Sequence, residues 1–279
     1  MQFKKTMLLC LTLLLTFSLM VGCARNQNQQ PNQQENNNQN EQPQQPPQNN
    51  QETNLEDGIY TDKGEQDERG WTPIITIIVR DGKMDNVFYD EIDEEGEDLK
   101  SFDAEYAINM KEKSGELPYT AGRKLADSLK ATGNPDQVDN ISGATGTSES
   151  FKNLAQEALE KNPKPLGETF PDGIYKAESE EDERGYKSLA AIVINEGKVS
   201  TIEYDEYHEQ NNSFKTEDEE YAKNMKEKSG VTPEEAVENL ISQLREKEDP
   251  KDVDDVAGAT GTSNGFKDLM TKVFSYIKK

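Results

Sequence analysis

Apolar and polar positions along this chain fall into two matching sets. Runs rich in β-branched residues, Ile74 to Val79 and Leu189 to Ile194, have the length and composition of strands. Each leads into an acid–glycine pair, Asp81-Gly82 or Glu196-Gly197, of the kind that turns a hairpin because glycine takes a positive φ. A second strand follows, through Val87-Phe88-Tyr89 or Ile202-Glu203-Tyr204. Beyond it the apolar period lengthens. Thr232-Pro233-Glu234-Glu235 reads as a helix cap, with Pro at the first helical position and Glu at the third. Ala236, Val237, Leu240, Ile241 and Leu244 form the apolar face of the helix it starts. Helical spacing returns at Phe151, Leu154, Ala155, Ala158 and Leu159, and again at Phe266, Leu269, Met270, Val273 and Phe274. Each half therefore predicts a small α+β domain, antiparallel strands first and helices after.

The halves are one sequence written twice. Shifted by 115 residues, Asp57-Gly58-Ile59-Tyr60 falls on Asp172-Gly173-Ile174-Tyr175, and Asp67-Glu68-Arg69-Gly70 on Asp182-Glu183-Arg184-Gly185. Asn109 to Gly115 recurs from Asn224 to Gly230, and Gly143 to Ser148 from Gly258 to Ser263. Aligned without a gap, 57–161 and 172–276 share 44 identities in 105 positions, a tandem duplication. Two copies with so long a period do not make a solenoid. The join falls in Asn162-Pro163-Lys164-Pro165. The expected organisation is a signal over 1–22, a linker over 23–54, and domains over 55–163 and 164–279.

The N-terminal part belongs to neither copy. Lys4 and Lys5 precede an apolar stretch from Met7 to Val21, shorter than the roughly 20 residues a spanning helix needs. With small Gly22 before Cys23, this reads as a secretory signal. Its end resembles a bacterial lipobox, which implies that Cys23 becomes the acylated first residue of the mature protein. Two acyl chains there would meet the two-signal requirement for stable anchoring. From Asn26 to Gln51 every residue but Glu35 and Glu41 is Asn, Gln or Pro, a composition expected to stay disordered because it buries too little apolar area.

Charge narrows the choice of partners. With 31 Lys and Arg against 55 Asp and Glu the chain carries −24, and losing Lys4 and Lys5 with the signal makes it −26. No nucleic-acid partner is expected, since that needs a basic face to displace counterions. One His and two Cys without paired spacing leave no zinc site and no disulfide framework.

Candidate chemistry lies just ahead of the last helix of each copy. Asp139-Asn140-Ile141-Ser142-Gly143-Ala144-Thr145-Gly146-Thr147-Ser148 and Asp254-Asp255-Val256-Ala257-Gly258-Ala259-Thr260-Gly261-Thr262-Ser263 run straight into it. Small residues let a ligand approach the backbone, and a helix N-terminus offers free N–H groups and the positive end of its dipole. From the residues alone, this is either an anion seat or a tight turn closed by a Ser/Thr N-cap.

Asp139-x-x-Ser142-Gly143-Ala144-Thr145 resembles the flavinylation motif of the FMN-binding domain family, which includes the flavin-carrying subunits of sodium-pumping and Rnf-type redox complexes. The resemblance implies an α+β fold and FMN joined to the last Thr of the motif by a phosphoester bond, one per copy. It also implies a flavin transferase that uses FAD as donor. Carried over by residue, Thr145 and Thr260 are the attachment sites, and Asp139 and Asp254 are needed by the transferase. Ser142, Gly143 and Ala144, with Gly258 and Ala259, complete the two motifs, and Ala257 departs from the pattern where the first copy has Ser142.

Lipobox, polar linker and two such domains together resemble the flavinylated lipoproteins of Gram-positive extracellular electron transfer. That implies an electron carrier, not an enzyme, lipid-anchored on the extracellular face of the cell membrane. It would be fed by a quinol- or NADH-linked membrane donor and would discharge to ferric iron or free flavins. The alternative from another class is a surface lipoprotein that binds a phosphorylated ligand reversibly.

Other features weigh less. Trp71 and Tyr186, Tyr89 and Tyr204, Tyr106 and Tyr221, and Met110 and Met225 recur in register; each singly reads as core, the alternative being that some of them line a flavin ring, which needs an apolar or aromatic wall. The acidic run Asp90 to Asp98 lacks EF-hand spacing and reads as a solvated loop. His208 faces Asp93 in the alignment, so it belongs to no shared mechanism. No dinucleotide fingerprint or catalytic triad can be assembled, and no metal site is expected.

Overall fold

The computed structural model describes residues 55–167 and 171–277; the signal, Cys23 and the linker lie outside them. In the first copy β1 (Gly58–Lys63), β2 (Thr72–Arg80) and β3 (Lys83–Ile92) form an antiparallel sheet in that order. They are followed by α1 (Ala104–Ser114), α2 (Pro118–Thr132) and α3 (Thr145–Leu159). The second copy repeats this with β4 (Gly173–Glu178), β5 (Tyr186–Asn195) and β6 (Lys198–His208), adds the short edge strand β7 (Ser213–Phe214), and continues into α4 (Glu219–Ser229), α5 (Pro233–Lys247) and α6 (Thr260–Ile277). The α+β duplication is as expected.

The repeated motifs turn out to be local clasps. The Asp57 carboxylate accepts from the N–H groups of Asp81 and Gly82 at 3.0 and 2.8 Å, closing the β2–β3 hairpin. Both turn residues have positive φ, 52° and 70°, the geometry of a type I′ turn. Those two N–H groups hold the Asp57 carboxyl below its ordinary range. Asp172 does the same for Gly197 at 2.8 Å. Asp67 accepts from the backbone of Arg69 and Trp71 at 2.8 and 2.9 Å, and from the Arg69 guanidinium, so a tight turn delivers Trp71 to the start of β2. Asp182 delivers Tyr186 in the same way.

Helices α1 and α4 start on Asp103 and Asp218, whose carboxylates accept from the N–H of Tyr106 and Tyr221, and stop on the left-handed Gly115 and Gly230. The cap expected at Thr232 is present, with Glu235 completing a capping box.

Strand alternation gives each sheet two apolar faces. In the first copy Tyr60, Ile75, Ile77, Val87 and Tyr89 pack on Leu125, Leu129, Phe151 and Leu154 of α2 and α3. Ile59, Ile74, Ile78 and Phe88 point the other way and join a core with Ile174, Val193 and other residues of the second copy. Full burial of each such side chain contributes about 1.5–3 kcal/mol, so this face cannot be left to water.

Polar contacts fix the register between the copies. The Ile174 N–H donates to Thr76 Oγ1 at 2.9 Å. Lys176, on β4, reaches Asp90 of β3 at 2.5 Å. Lys176 also donates to the Tyr89 carbonyl at 3.3 Å and lies 4.3 Å from the Tyr119 ring centroid.

Candidate functional site

Thr145 and Thr260 are the first residues of α3 and α6, and both are exposed. The N-cap position of α3 is Ala144, with φ −133°, and no side chain caps the helix. The tight turn is present, the Ala144 N–H donating to the Ile141 carbonyl at 3.0 Å, but no hydroxyl N-cap closes it. Ser148 works from inside the helix instead: fully buried, it accepts from the Ile141 N–H at 2.9 Å and donates to the Ala144 carbonyl at 2.8 Å. Ser263 makes the equivalent pair with Val256 and Ala259, each at 3.0 Å. The loop is fixed while the leading N–H groups of α3 stay uncapped by side chains, and these groups favour an anion.

Glycine is required beside that loop. Gly143 has φ +80°, and a Cβ there would lie 2.4 Å from Ser114 Cβ; Gly258 has φ +85° and a Cβ there would lie 2.6 Å from the Ser229 carbonyl oxygen. The motif loop thus presses against the C-terminal turn of α1 or α4, the segment whose sequence, Asn109 to Gly115, recurs unchanged in the second copy.

Asp139 is exposed, whereas Asp254 accepts from Lys247 at 2.6 Å, which holds its carboxyl below the ordinary range. The first copy has Thr132 in place of Lys247. Ser142 and Ala257 are both exposed, so the departure of the second motif removes no packing.

A groove of about 510 Å³ runs from Gly143 along α1, lined by Tyr106, Asn109, Met110, Lys113 and Ser114, with Asp103 and Glu105 beside them. Tyr106 meets Trp71 edge-on with ring centroids 6.2 Å apart, and both are half-buried.

Beneath the two rings lies a group that sequence reading missed. Lys100 is 2% exposed, its Nζ is 2.5 Å from Glu91 Oε2, and it stands 5.7 and 4.8 Å from the Trp71 and Tyr106 centroids. Glu91 Oε1 accepts from Thr147 Oγ1 at 3.1 Å, so the ion pair is tied to the first turn of α3. In the second copy Lys215 pairs with Glu206, donates to Thr262 at 3.3 Å, and lies 5.3 and 5.1 Å from the Tyr186 and Tyr221 centroids. The signal that could have found it is the recurrence of Tyr-Asp-Glu at 89–91 and 204–206 and of Lys at 100 and 215.

The acidic run also needs correcting at its start. Asp90 and Glu91 are buried, at 5% and 6% exposure, because Lys176 and Lys100 meet them there; the turn through Glu94 and Glu95 is the exposed part. Tyr89 and Tyr204 are core residues, as read, and their hydroxyls are pushed well up by burial. His208 packs edge-on to Tyr186 with centroids 4.9 Å apart, a local role confined to the second copy.

A model of the FMN-binding domain matches residues 70–160 and 185–275. The 15 kDa lipoprotein of Treponema pallidum (strain Nichols) is 43% identical over 94 residues, which are 34% of this chain and 66% of that protein's length. Among solved structures, the CPE2226 protein from Clostridium perfringens is 34% identical and aligns over 38% of this chain and 87% of its own, with a TM-score of 0.37. A solution structure from Clostridium thermocellum is 23% identical over 39% of this chain and 95% of its own, with a TM-score of 0.29.

Proposed function

Because this chain belongs to the FMN-binding domain family, with both copies matched, we propose that Thr145 and Thr260 each carry FMN through a phosphoester bond and that the protein is an electron carrier. The observation that carries the attachment is a threonine, exposed, at the head of a helix whose N-terminus no side chain caps. The residues present fit the group. Uncapped N–H groups favour phosphate, Gly143 and Gly258 keep the loop against α1 and α4, and a groove leads away from Gly143. Attachment forms a P–O bond to the Thr oxygen and breaks the FAD pyrophosphate, releasing AMP and the hydroxyl proton. FMN, once bound, supplies the redox chemistry; the protein supplies tether, orientation and field.

The lipoprotein name of the Treponema pallidum relative supports acylation at Cys23, and the secretory reading of 1–22 puts the acylated chain on the outer face of the membrane. No helix of the described residues is long and apolar enough to cross a membrane. The electron donor is a quinol- or NADH-linked membrane system, and the acceptors are ferric iron or free flavins. A −26 chain favours a protein partner with a basic patch.

The test is the intact mass of residues 24–279 co-expressed with a flavin transferase, beside Thr145→Ala, Thr260→Ala and the double variant. Two FMN-phosphoryl additions, lost one per substitution, are expected. Flavin colour that leaves the chain on denaturation, with no added mass, favours the reversible binder of a phosphorylated ligand and refutes the attachment.

A further inference from the structure

The groove beside the motif loop differs from the rest of the chain in how little it varies between the copies. All eight residues that line it, Asp103, Glu105, Tyr106, Asn109, Met110, Lys113, Ser114 and Gly143, are identical at 218, 220, 221, 224, 225, 228, 229 and 258, although the copies share only 44 of 105 positions. The ion pair beneath its aromatic end is kept as well, as Glu91–Lys100 and Glu206–Lys215. Packing alone does not call for that pair. A buried ion pair replaced by apolar side chains of similar volume is often neutral or stabilising.

We propose that the aromatic pair Trp71–Tyr106, with Lys100 beneath it, is the seat of the flavin ring tethered at Thr145, and that Tyr186–Tyr221 over Lys215 is the seat for Thr260. This rests on the attachment proposed above. Tyr106 of the seat and the motif glycine line the same groove along α1, so a group held at the head of α3 has a lined path to it. An aromatic wall suits a flat, mostly apolar ring system. The lysine brings a positive charge next to the ring, where low dielectric strengthens its field. Thr147 and Thr262 link the charged pair to the turn that bears the attachment threonine, so Lys100 and Lys215 are positioning residues for the cofactor.

Flavin emission is quenched when the ring lies against an indole or a phenol, which gives a readout separate from activity. The test uses residues 24–279 with Thr260→Ala, co-expressed with a flavin transferase so that one flavin sits at Thr145. Trp71→Leu and Tyr106→Leu are expected to keep the added mass and to raise flavin emission severalfold, while Trp71→Tyr, the residue of the second copy, keeps it quenched. Lys100→Met with Glu91→Gln, which removes the pair without stranding a charge, is expected to lower the flavin midpoint potential. A loaded Trp71→Leu protein with unchanged emission overturns the proposal. So does loss of loading in a variant whose unfolding midpoint is unchanged, since Trp71 would then serve the transferase. If the parent protein itself gains no flavin mass, it is the attachment that fails, not the seat.

Discussion

Asp205 and Asp90 hold the same place in the two copies, but only Asp90 has a cation. Lys176 lies 2.5 Å from Asp90, whereas Asp205, 8% exposed, makes no ion pair among the described residues. Burial pushes the Asp205 carboxyl from its ordinary 3.8 up to about 7, against the opposing pull of the Thr216 hydroxyl and the Glu206 and Thr216 N–H groups. The folded state therefore holds this proton more tightly than the unfolded chain. Stability from this group is present at low pH and is lost as pH rises through 7. Between pH 5 and pH 8 the difference is about 2.7 kcal/mol by linkage. Asp205→Asn is neutral at both values and lacks the change. The assay is urea unfolding of wild type and variant at pH 5 and pH 8. Wild type is expected to lose about 2.7 kcal/mol more than the variant over that interval. Glu203, pushed up to about 8 by burial and by Asp98, with a smaller push from Asp205 itself, acts with the same sign in both proteins, so most of its contribution drops out of the difference. Equal pH dependence in the two proteins would refute the reasoning, because Asp205 would then ionise as in the unfolded chain.

Two further outcomes follow from the same contacts. Lys176→Met strands Asp90 without its cation and is expected to cost about 3–5 kcal/mol in urea unfolding; adding Asp90→Asn should recover most of it, and no recovery would mean that the lysine acts through packing. Gly143→Ala requires a left-handed alanine, at about 1–2 kcal/mol, with its Cβ 2.4 Å from Ser114 Cβ. Intact mass should show the flavin lost from Thr145 and kept at Thr260, and normal loading at both would contradict the loop geometry.

Much of the fold was legible because local chemistry and global architecture agree. β-Branched runs, the acid–glycine turns and the Thr232 cap each specify one element. What escaped was long-range. β1 and β4 are short and begin in Asp-Gly-Ile-Tyr, a motif whose aspartate caps a hairpin turn about 25 residues downstream. No periodicity announces such a contact. The motif loop was found and its tight turn is there, but the hydroxyl that clasps it is Ser148, three residues into α3, and not an N-cap. Lys100 and Glu91 were missed for a similar reason. An isolated lysine after an acidic run reads as surface charge until the fold turns the chain back over it.

The two copies also record where each surface is used. Identity is kept along the groove and over Gly143 to Ser148 of the motif loop. Divergence falls where the copies meet: Thr61 has become Lys176, Thr76 Ala191, Phe88 Glu203, Leu99 Phe214 and Tyr119 Glu234. A face packed against its own duplicate cannot stay the same on both sides, because Lys176 needs Asp90 opposite it and Phe88 needs the rings of Tyr175 and Tyr276, 6.0 and 5.0 Å away. Each side must become the complement of the other. The residues that bind the two copies together have therefore drifted apart in kind, while the groove lining from Asp103 to Ser114 with Gly143 has not.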